Sequence, residues 1–245
     1  MAAYKRVLLK LSGEALASLD PHGGTKQGID EAMLAKMALD VKTAHDNGIQ
    51  VCIVVGGGNI FRGVRGVHTH GIDRTTADHM GMMATVINGL ALHHAIESYN
   101  VPCRIMSAIP MPTVCENYAA PRARHHLEKG RVVIFVAGTG NPYFTTDSAA
   151  ALRACEMHCD LLLKATKVPG VFDKDPATHP DARFLKAVTY DDALTQRLNI
   201  MDATALALLR DNATPLCVFS LYEDNAFMNV LNHEGQFTLI TSPGE

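Results

Sequence analysis

Four short segments of the chain join bare or hydroxyl-bearing backbone to charge, and each follows an apolar run of the kind that forms a β-strand. In "LLKLSGEA", Lys10 lies within the strand-like run, and Leu11, Ser12 and Gly13 lead into a turn. A compact cation beside two turn amides can grip a bridging phosphate oxygen. Taken alone, the same lysine fits the surface of an edge strand. In "VVGGGNIFRG", Gly56, Gly57 and Gly58 close an apolar run and Arg62 follows. Glycines admit close backbone approach to a ligand, and an arginine adds bidentate contacts to phosphate. A plain tight turn would need fewer glycines.

The third segment, "VAGTGNPYFTTDSAA", sets Gly138, Gly140, Asn141, Thr139, Thr145 and Thr146 ahead of a helix, with Asp147 expected as its N-cap. Pro142, Tyr143 and Phe144 lie among those polar groups, a mixture expected where a base or ring is enclosed. In the fourth, "LLLKATKVPGVFDKDP", Lys164 is expected to end a strand, Thr166 follows, and Asp173, Lys174 and Asp175 precede Pro176. Lys164 can neutralise charge on a group in transfer, and Phe172 can cover an adenine ring. A solvated loop accounts equally well for Asp173 and Lys174.

These segments are useful only if the fold brings them together. The hydrophobic pattern alternates strand and helix along the chain. Strands are expected at Tyr4–Leu11, Val51–Val55, Arg104–Ala108, Val132–Ala137 and Asp160–Lys164, with later ones in "PLCVFSL" and "FTLIT". A helix after Asp30 as N-cap presents Met33, Met37 and Val41 on one face and stops at Gly48. Further helices are expected through "DSAAALRACEMH", through "DATALALLRDN" and near Asn225–Leu231. A long helix over Asp73–Glu97 carries apolar residues on more than one face, including Met80, Met83, Val86, Ile87 and Leu90. Such a helix is central to a core or shared with another subunit. The alternation predicts an α/β protein, a three-layer α/β/α sandwich with a mainly parallel central sheet. One domain over 1–245 is expected, in two lobes of about 1–160 and 161–245, with loops near 20–28 and 168–183. In such sheets ligands collect at the carboxyl ends of strands, where all four segments fall.

Composition narrows the partners. A formal charge of −3 over 245 residues, with no basic run, gives no footprint for nucleic acid. The N-terminal apolar run is interrupted by Lys10 and Glu14, so it is read as a strand of a cytoplasmic protein rather than a signal peptide. No apolar stretch reaches the ~20 residues of a membrane helix. Of the six cysteines, Cys52, Cys103 and Cys217 read as small buried residues. "CEMHC" (Cys155, His158, Cys159) lacks a second ligand pair, so a half-buried helix face is expected there rather than a metal site. The histidines at 68, 70, 93, 94, 125 and 126 are expected on the surface or at an interface. There is no P-loop motif and no protein-kinase catalytic loop.

Taken together, the blocks "KRVLLKLSGEAL", "GGGNIFRG", "DHMGMMATVINGLAL", "MSAIPM", "AGTGNPYFTTDSAA", "LLKATKVPGVFDKDP" and "MDATALALLRD" closely resemble, in the same order, those of the bacterial UMP kinases of the amino acid kinase superfamily. The resemblance spans nearly the whole chain, and "GTGNPYFTTD" is its most specific part. It implies a homohexamer transferring the γ-phosphoryl of Mg-ATP to UMP, with Mg²⁺ held mainly through nucleotide phosphates, UTP as inhibitor and GTP as activator. On the ATP side it implies Lys10, Leu11, Ser12, Gly13, Gly58, Arg62, Thr166, Phe172 and Asp175. On the UMP side it implies Gly57, Asp78 and the loop Thr139, Gly140, Asn141, Pro142, Tyr143, Phe144, Thr145 and Thr146. Lys10, Lys164, Asp147 and Asp202 are implied as the catalytic group.

Three departures stand against the family pattern. "LASLDPHGGTKQGID" is longer than the usual connection, His93 and Glu97 replace an expected basic helix face that bears on GTP, and Pro169 stands where an acidic residue is common. The alternatives are a kinase for a carboxylate or carbamate, such as acetylglutamate or glutamate, and a non-catalytic oxyanion store on the same fold.

Overall fold

The computed structural model describes residues 4–18, 27–61, 71–223 and 225–242. The apolar runs form one nine-stranded sheet in which the least interrupted of them sit centrally. The strands are β1 (Arg6–Leu11), β2 (Gln50–Val55), β3 (Cys103–Ser107), β4 (Glu116–Asn117), β5 (Val132–Val136), β6 (Leu161–Thr166), β9 (Ala187–Thr189), β10 (Leu216–Ser220) and β11 (Phe237–Thr241). Between β6 and β9, β7 (Val171–Phe172) and β8 (Phe184–Leu185) form a separate antiparallel ribbon. The sheet order is β4-β3-β5-β2-β1-β6-β10-β11-β9, and only the β10–β11 pair is antiparallel. The ribbon's first strand lies within the 168–183 stretch expected as a plain loop, and its second follows directly after that stretch. The ribbon escaped notice because each strand is two residues long.

Helices cover both faces, sorted by the alternation of the strands. One face takes the odd-numbered residues of β1, such as Val7 and Leu9, and packs against α1 (Glu31–Asp46), α2 (Arg74–Ser98) and a late helix, α7 (Ala226–Leu231). The other takes Leu8, Cys52, Val133 and Leu162 and packs against α3 (Ala120–Glu128), α4 (Thr146–Glu156), α5 (Tyr190–Thr195) and α6 (Ala203–Asp211). The expected three layers are therefore present. Asp30 caps α1, accepting from the Met33 amide at 2.9 Å.

Helix α2 has the two apolar faces its sequence announces. Met82, Val86 and Ile96 are buried, whereas Met80, Met83, Ile87 and Leu90 remain 38–50% exposed. No helix among the described residues is long and apolar enough to cross a membrane.

Two local expectations need correction. The helix through "CEMH" stops at Glu156, and His158 takes φ 52° so that the Cys159 amide can close back on the Ala154 carbonyl. Cys159 is thereby turned into the core beside Cys52, not along a helix face with Cys155. His126 is buried, not superficial. Its Nε2 lies 3.0 Å from Glu116, and Arg131 donates to its Nδ1 at 2.9 Å, so the ring carries its proton on Nε2.

Candidate active site

Strand β1 lies at the centre of the sheet, with β2 on one side and β6 on the other, so connections leave in opposite directions and open a crevice at their carboxyl ends. Lys10 is thus not on an edge. It pairs in register with Lys164 of β6, and both side chains point to the face covered by α4. Two ammonium groups in such a position require a counter-charge. Asp147 supplies it, 2.7 Å from Lys10 Nζ and 2.9 Å from Lys164 Nζ. Lys164 also donates to the Ile200 carbonyl.

Asp147 was expected to cap α4. Thr145 does so instead, its hydroxyl accepting from the Asp147 and Ser148 amides at 3.0 and 3.2 Å, because the lysines claim the carboxylate. Burial pushes the Asp147 carboxyl up, but Lys10 and Lys164 outweigh it and hold the group below its usual range. Burial lowers Lys164 below the ordinary lysine value, with Asp147 opposing and Lys10 assisting. The cluster carries one positive charge in excess, an invitation to an anion. Although Lys10 is near Asp147 Oδ1, that oxygen is buried without a well-directed hydrogen bond, and the contact is ionic.

Asp202 stands one shell further out. It caps α6 through the Ala205 amide at 2.9 Å and accepts from the Thr145 and Ser148 hydroxyls. Its carboxylate therefore ties the start of α4 to the start of α6.

The glycine triplet has a packing duty that was not expected from the sequence. A Cβ on Gly13 would lie 2.5 Å from the Gly58 nitrogen, one on Gly56 2.8 Å from the Gly13 nitrogen, and one on Gly57 2.8 Å from the Gly81 carbonyl. Bare backbone is needed first so that the turn after β1, the turn after β2 and α2 can touch. Buried Asn88 locks the arrangement, donating to the Gly56 carbonyl at 2.7 Å and exchanging amide contacts with Asn59.

Two clefts flank the lysine–aspartate cluster. The first, about 210 Å³, is bounded by Gly57, Gly58, Asp78, Thr85, Thr139, Phe144, Thr145 and Thr146, among others. The second, about 500 Å³, is bounded by Lys164, Thr166, Phe172, Asp175 and the 196–200 stretch. Lys164 of the second cleft contacts Asp147, the chain neighbour of Thr146 in the first.

Sequence comparison with known proteins now bears on this arrangement. Residues 5–220 match the amino acid kinase family. The chain belongs to that family. Uridylate kinases of Cereibacter sphaeroides (strain ATCC 17025) and Rickettsia conorii are 52% and 50% identical to it, over 97% of the chain in each case and 94% and 96% of theirs. The UMP kinase structure from Bacillus anthracis superposes with a TM-score of 0.92 at 40% identity, covering 98% of this chain and 97% of that one. That from Ureaplasma parvum gives 0.90 at 40%, covering 97% and 99%.

The remaining site residues of this amino acid kinase fall unevenly. Leu11 has a core side chain, and its carbonyl accepts from the Gly56 amide at 2.8 Å. Ser12 caps the 3-10 turn Gly13–Leu16. Arg62 and residues 19–26 of the long connection lie outside the described residues. Gly140, Asn141 and Pro142 are not on the first cleft's wall. The Asn141 amide donates to Thr139 Oγ1 at 3.2 Å, and Gly140 takes φ 80°, where a Cβ would lie a tight 3.1 Å from the Ala108 carbonyl. Tyr143, expected to enclose a ring, is 68% exposed and turns its face to Arg74. Phe144 does line the cleft.

Several contributors were missed. Thr85 accepts from the Ala137 amide and donates to Met82, each at 2.7 Å, which fixes the start of the threonine-rich loop. Arg74 Nε donates to Asp78, its one N–H shared between the two carboxylate oxygens at 2.9 and 2.8 Å. Its spacing four residues ahead of Asp78 on a helix was a readable signal. The Ile200 carbonyl had none.

Proposed function

We propose that this chain is a uridylate kinase that moves the γ-phosphoryl of ATP onto UMP, giving UDP for pyrimidine nucleotide synthesis. The observation that carries the reading is the Lys10–Asp147–Lys164 cluster between two clefts, one with the threonine loop and one with the Phe172 ribbon. The uridylate kinases that share half of its residues over nearly full length support the choice of acceptor.

On this reading UMP occupies the first cleft, its phosphate against the Gly57 and Gly58 backbone, its ribose toward Asp78, and its uracil under the 138–146 loop. ATP occupies the second, with its adenine side toward Phe172 and its phosphates toward Lys164, Lys10 and the Ser12–Gly13 turn. The two phosphates then face each other across the glycine saddle. Transfer needs alignment and neutralisation of the equatorial oxygens rather than a covalent intermediate. Lys10 and Lys164 give that neutralisation from fixed positions, and Asp147 holds them there. Asp202 acts through Thr145, setting the mouth of α4.

Mg²⁺ fits this donor set in one way. No group of three or more His, Cys, Asp or Glu side chains capable of holding an ion occurs among the described residues, but Asp147 Oδ1 lacks a directed partner. An ion carried mainly by nucleotide phosphates, with Asp147 as the protein's contribution, matches the habit of magnesium. When bound, such an ion would supply neutralisation of phosphate charge beside that of Lys10 and Lys164. UTP is proposed as inhibitor through the same acceptor chemistry, and GTP as activator at a site whose helix face carries His93 and Glu97. The exposed stripe of α2 is the proposed seam between copies in a homohexamer.

The test is a coupled assay for nucleoside diphosphate formation with Mg-ATP and UMP, CMP, dUMP, acetylglutamate or glutamate, repeated with UTP or GTP. UDP formation at rates far above those for every other acceptor is expected. Turnover of an amino acid, or nucleotide binding without product, would reject the proposal.

A further inference from the structure

The first turn of α2 meets the crown of the 138–146 loop through contacts that the reaction scheme does not use. Arg74 Nε lies 2.9 and 2.8 Å from the two Asp78 oxygens, and its guanidinium sits 5.4 Å from the centre of the Tyr143 ring. The Tyr143 amide donates to Asp78 at 2.8 Å. Tyr143 has φ 72°, a left-handed conformation that a bulky side chain adopts only when its surroundings impose it. Asp78 itself is little exposed, at 14% of its side chain, and lines the first cleft.

We infer that Arg74 is a positioning residue for the acceptor: by gripping Asp78 and stacking on Tyr143, it holds the loop crown on α2 and fixes the carboxylate that reads the ribose. The inference rests on the acceptor assignment made above.

The physical argument has three parts. A carboxylate alone beside an incoming phosphate would repel it, and the paired guanidinium removes that charge without using every lone pair of the oxygens. The Arg74 Nε–H, shared between both oxygens, and the Tyr143 amide on Oδ2 together fix the carboxylate, so its remaining lone pairs point in one direction and can favour a ribose hydroxyl over its absence. The loop is then hung from α2 at two places, Ala137 on Thr85 and Tyr143 on Asp78, seven residues apart and so on the same face. Removing the outer tether leaves the inner one, so the loop should loosen at its crown while strand β5 and helix α4 keep their places.

The experiment uses the full-length protein with Arg74→Ala and Arg74→Lys. With saturating Mg-ATP, Arg74→Ala is expected to raise the KM for UMP about ten- to a hundredfold while kcat changes by no more than about threefold, the range for losing a charged hydrogen bond made in substrate binding. The preference for UMP over dUMP should shrink toward one, the KM for ATP should hold, and Arg74→Lys should recover part of both losses. Amide hydrogen exchange without nucleotide gives the independent readout: faster exchange in 138–146 and unchanged exchange in β5 and α4. Unchanged exchange in the loop, or an unchanged UMP KM and UMP/dUMP ratio in an enzyme that makes UDP, overturns the inference. Faster loop exchange in a protein that does not phosphorylate UMP keeps the clamp and sinks the acceptor assignment instead.

Discussion

Replacing Asp147 with asparagine removes the counter-charge and little else, so its consequences can be worked from geometry. Lys10 and Lys164 occupy neighbouring strands in register, with side chains 8% and 17% exposed. Strands lie about 5 Å apart, and two unit charges at that separation repel by about 3 kcal/mol at an effective dielectric constant of about 20. Removing one partner of a buried ion pair typically destabilises a protein by about 3–5 kcal/mol. The two figures agree, and for a chain of this size they correspond to a melting temperature lower by about 6–20 °C. The pH dependence follows from the signs. In the wild type the Asp147 carboxyl is lowered from 3.8, so its stabilisation is present above that value and is lost as pH falls through the folded pKa. The lysine penalty runs the other way. A folded Lys164 pKa below 10.5 means that the unfolded chain binds more protons in the window beneath 10.5, so stability rises with pH there. Without Asp147 that depression deepens, and the deficit of the variant should be full near neutrality and shrink toward pH 10. Pyrophosphate or ATP should stabilise the variant more than the wild type, since an added anion takes the vacated role. Urea or thermal unfolding at several pH values reads all three effects. A loss under about 1 kcal/mol at neutral pH would refute the premise that Asp147 neutralises two buried lysines.

Lys10→Ala should reduce kcat by about 10²–10³ with a much smaller change in the KM for UMP, as expected for a charge used in the transition state; near-normal turnover would take Lys10 out of catalysis. Because Lys164 is lowered from 10.5 by burial, the wild-type rate should fall on an alkaline limb beneath that value. Lys164→Arg should move the limb out of range whatever its residual rate, and a limb that stays in place belongs to another group.

Strands and layers were legible because the central segments are continuous apolar runs, and only a parallel sheet covered on both faces buries them so fully. The same directness holds for α1, where Asp30 and Gly48 mark the ends. The short pieces β4, β7, β8, β9 and α5 lacked the length to show a period. In the site, lysines at strand ends could be read as cations facing an anion, but not that they are adjacent, since strand order is set by crossovers and not by spacing. Asp147 was misplaced as a cap for a related reason: local propensity favours aspartate at a helix start, and a long-range pair of lysines overrode it while Thr145 took the cap. Tyr143 was read from composition as part of an enclosure, whereas its partner, Arg74, lies on a helix that composition cannot bring near.

The interlock of Gly13, Gly56 and Gly57 has a consequence for how such a catalyst can change. Where main-chain segments approach so closely that a Cβ at any of the three would meet backbone within 3 Å, no substitution can adjust one without displacing the others, so the floor between the turns is rigid to tinkering. The walls above it are not. The loop over the first cleft hangs from two side-chain tethers and can be lengthened, re-pitched or given new hydroxyls while the floor stays put. On the proposed acceptor assignment, a change of acceptor is thus a remodelling of the roof alone, and engineering aimed at other monophosphates belongs at 74–78 and 138–146.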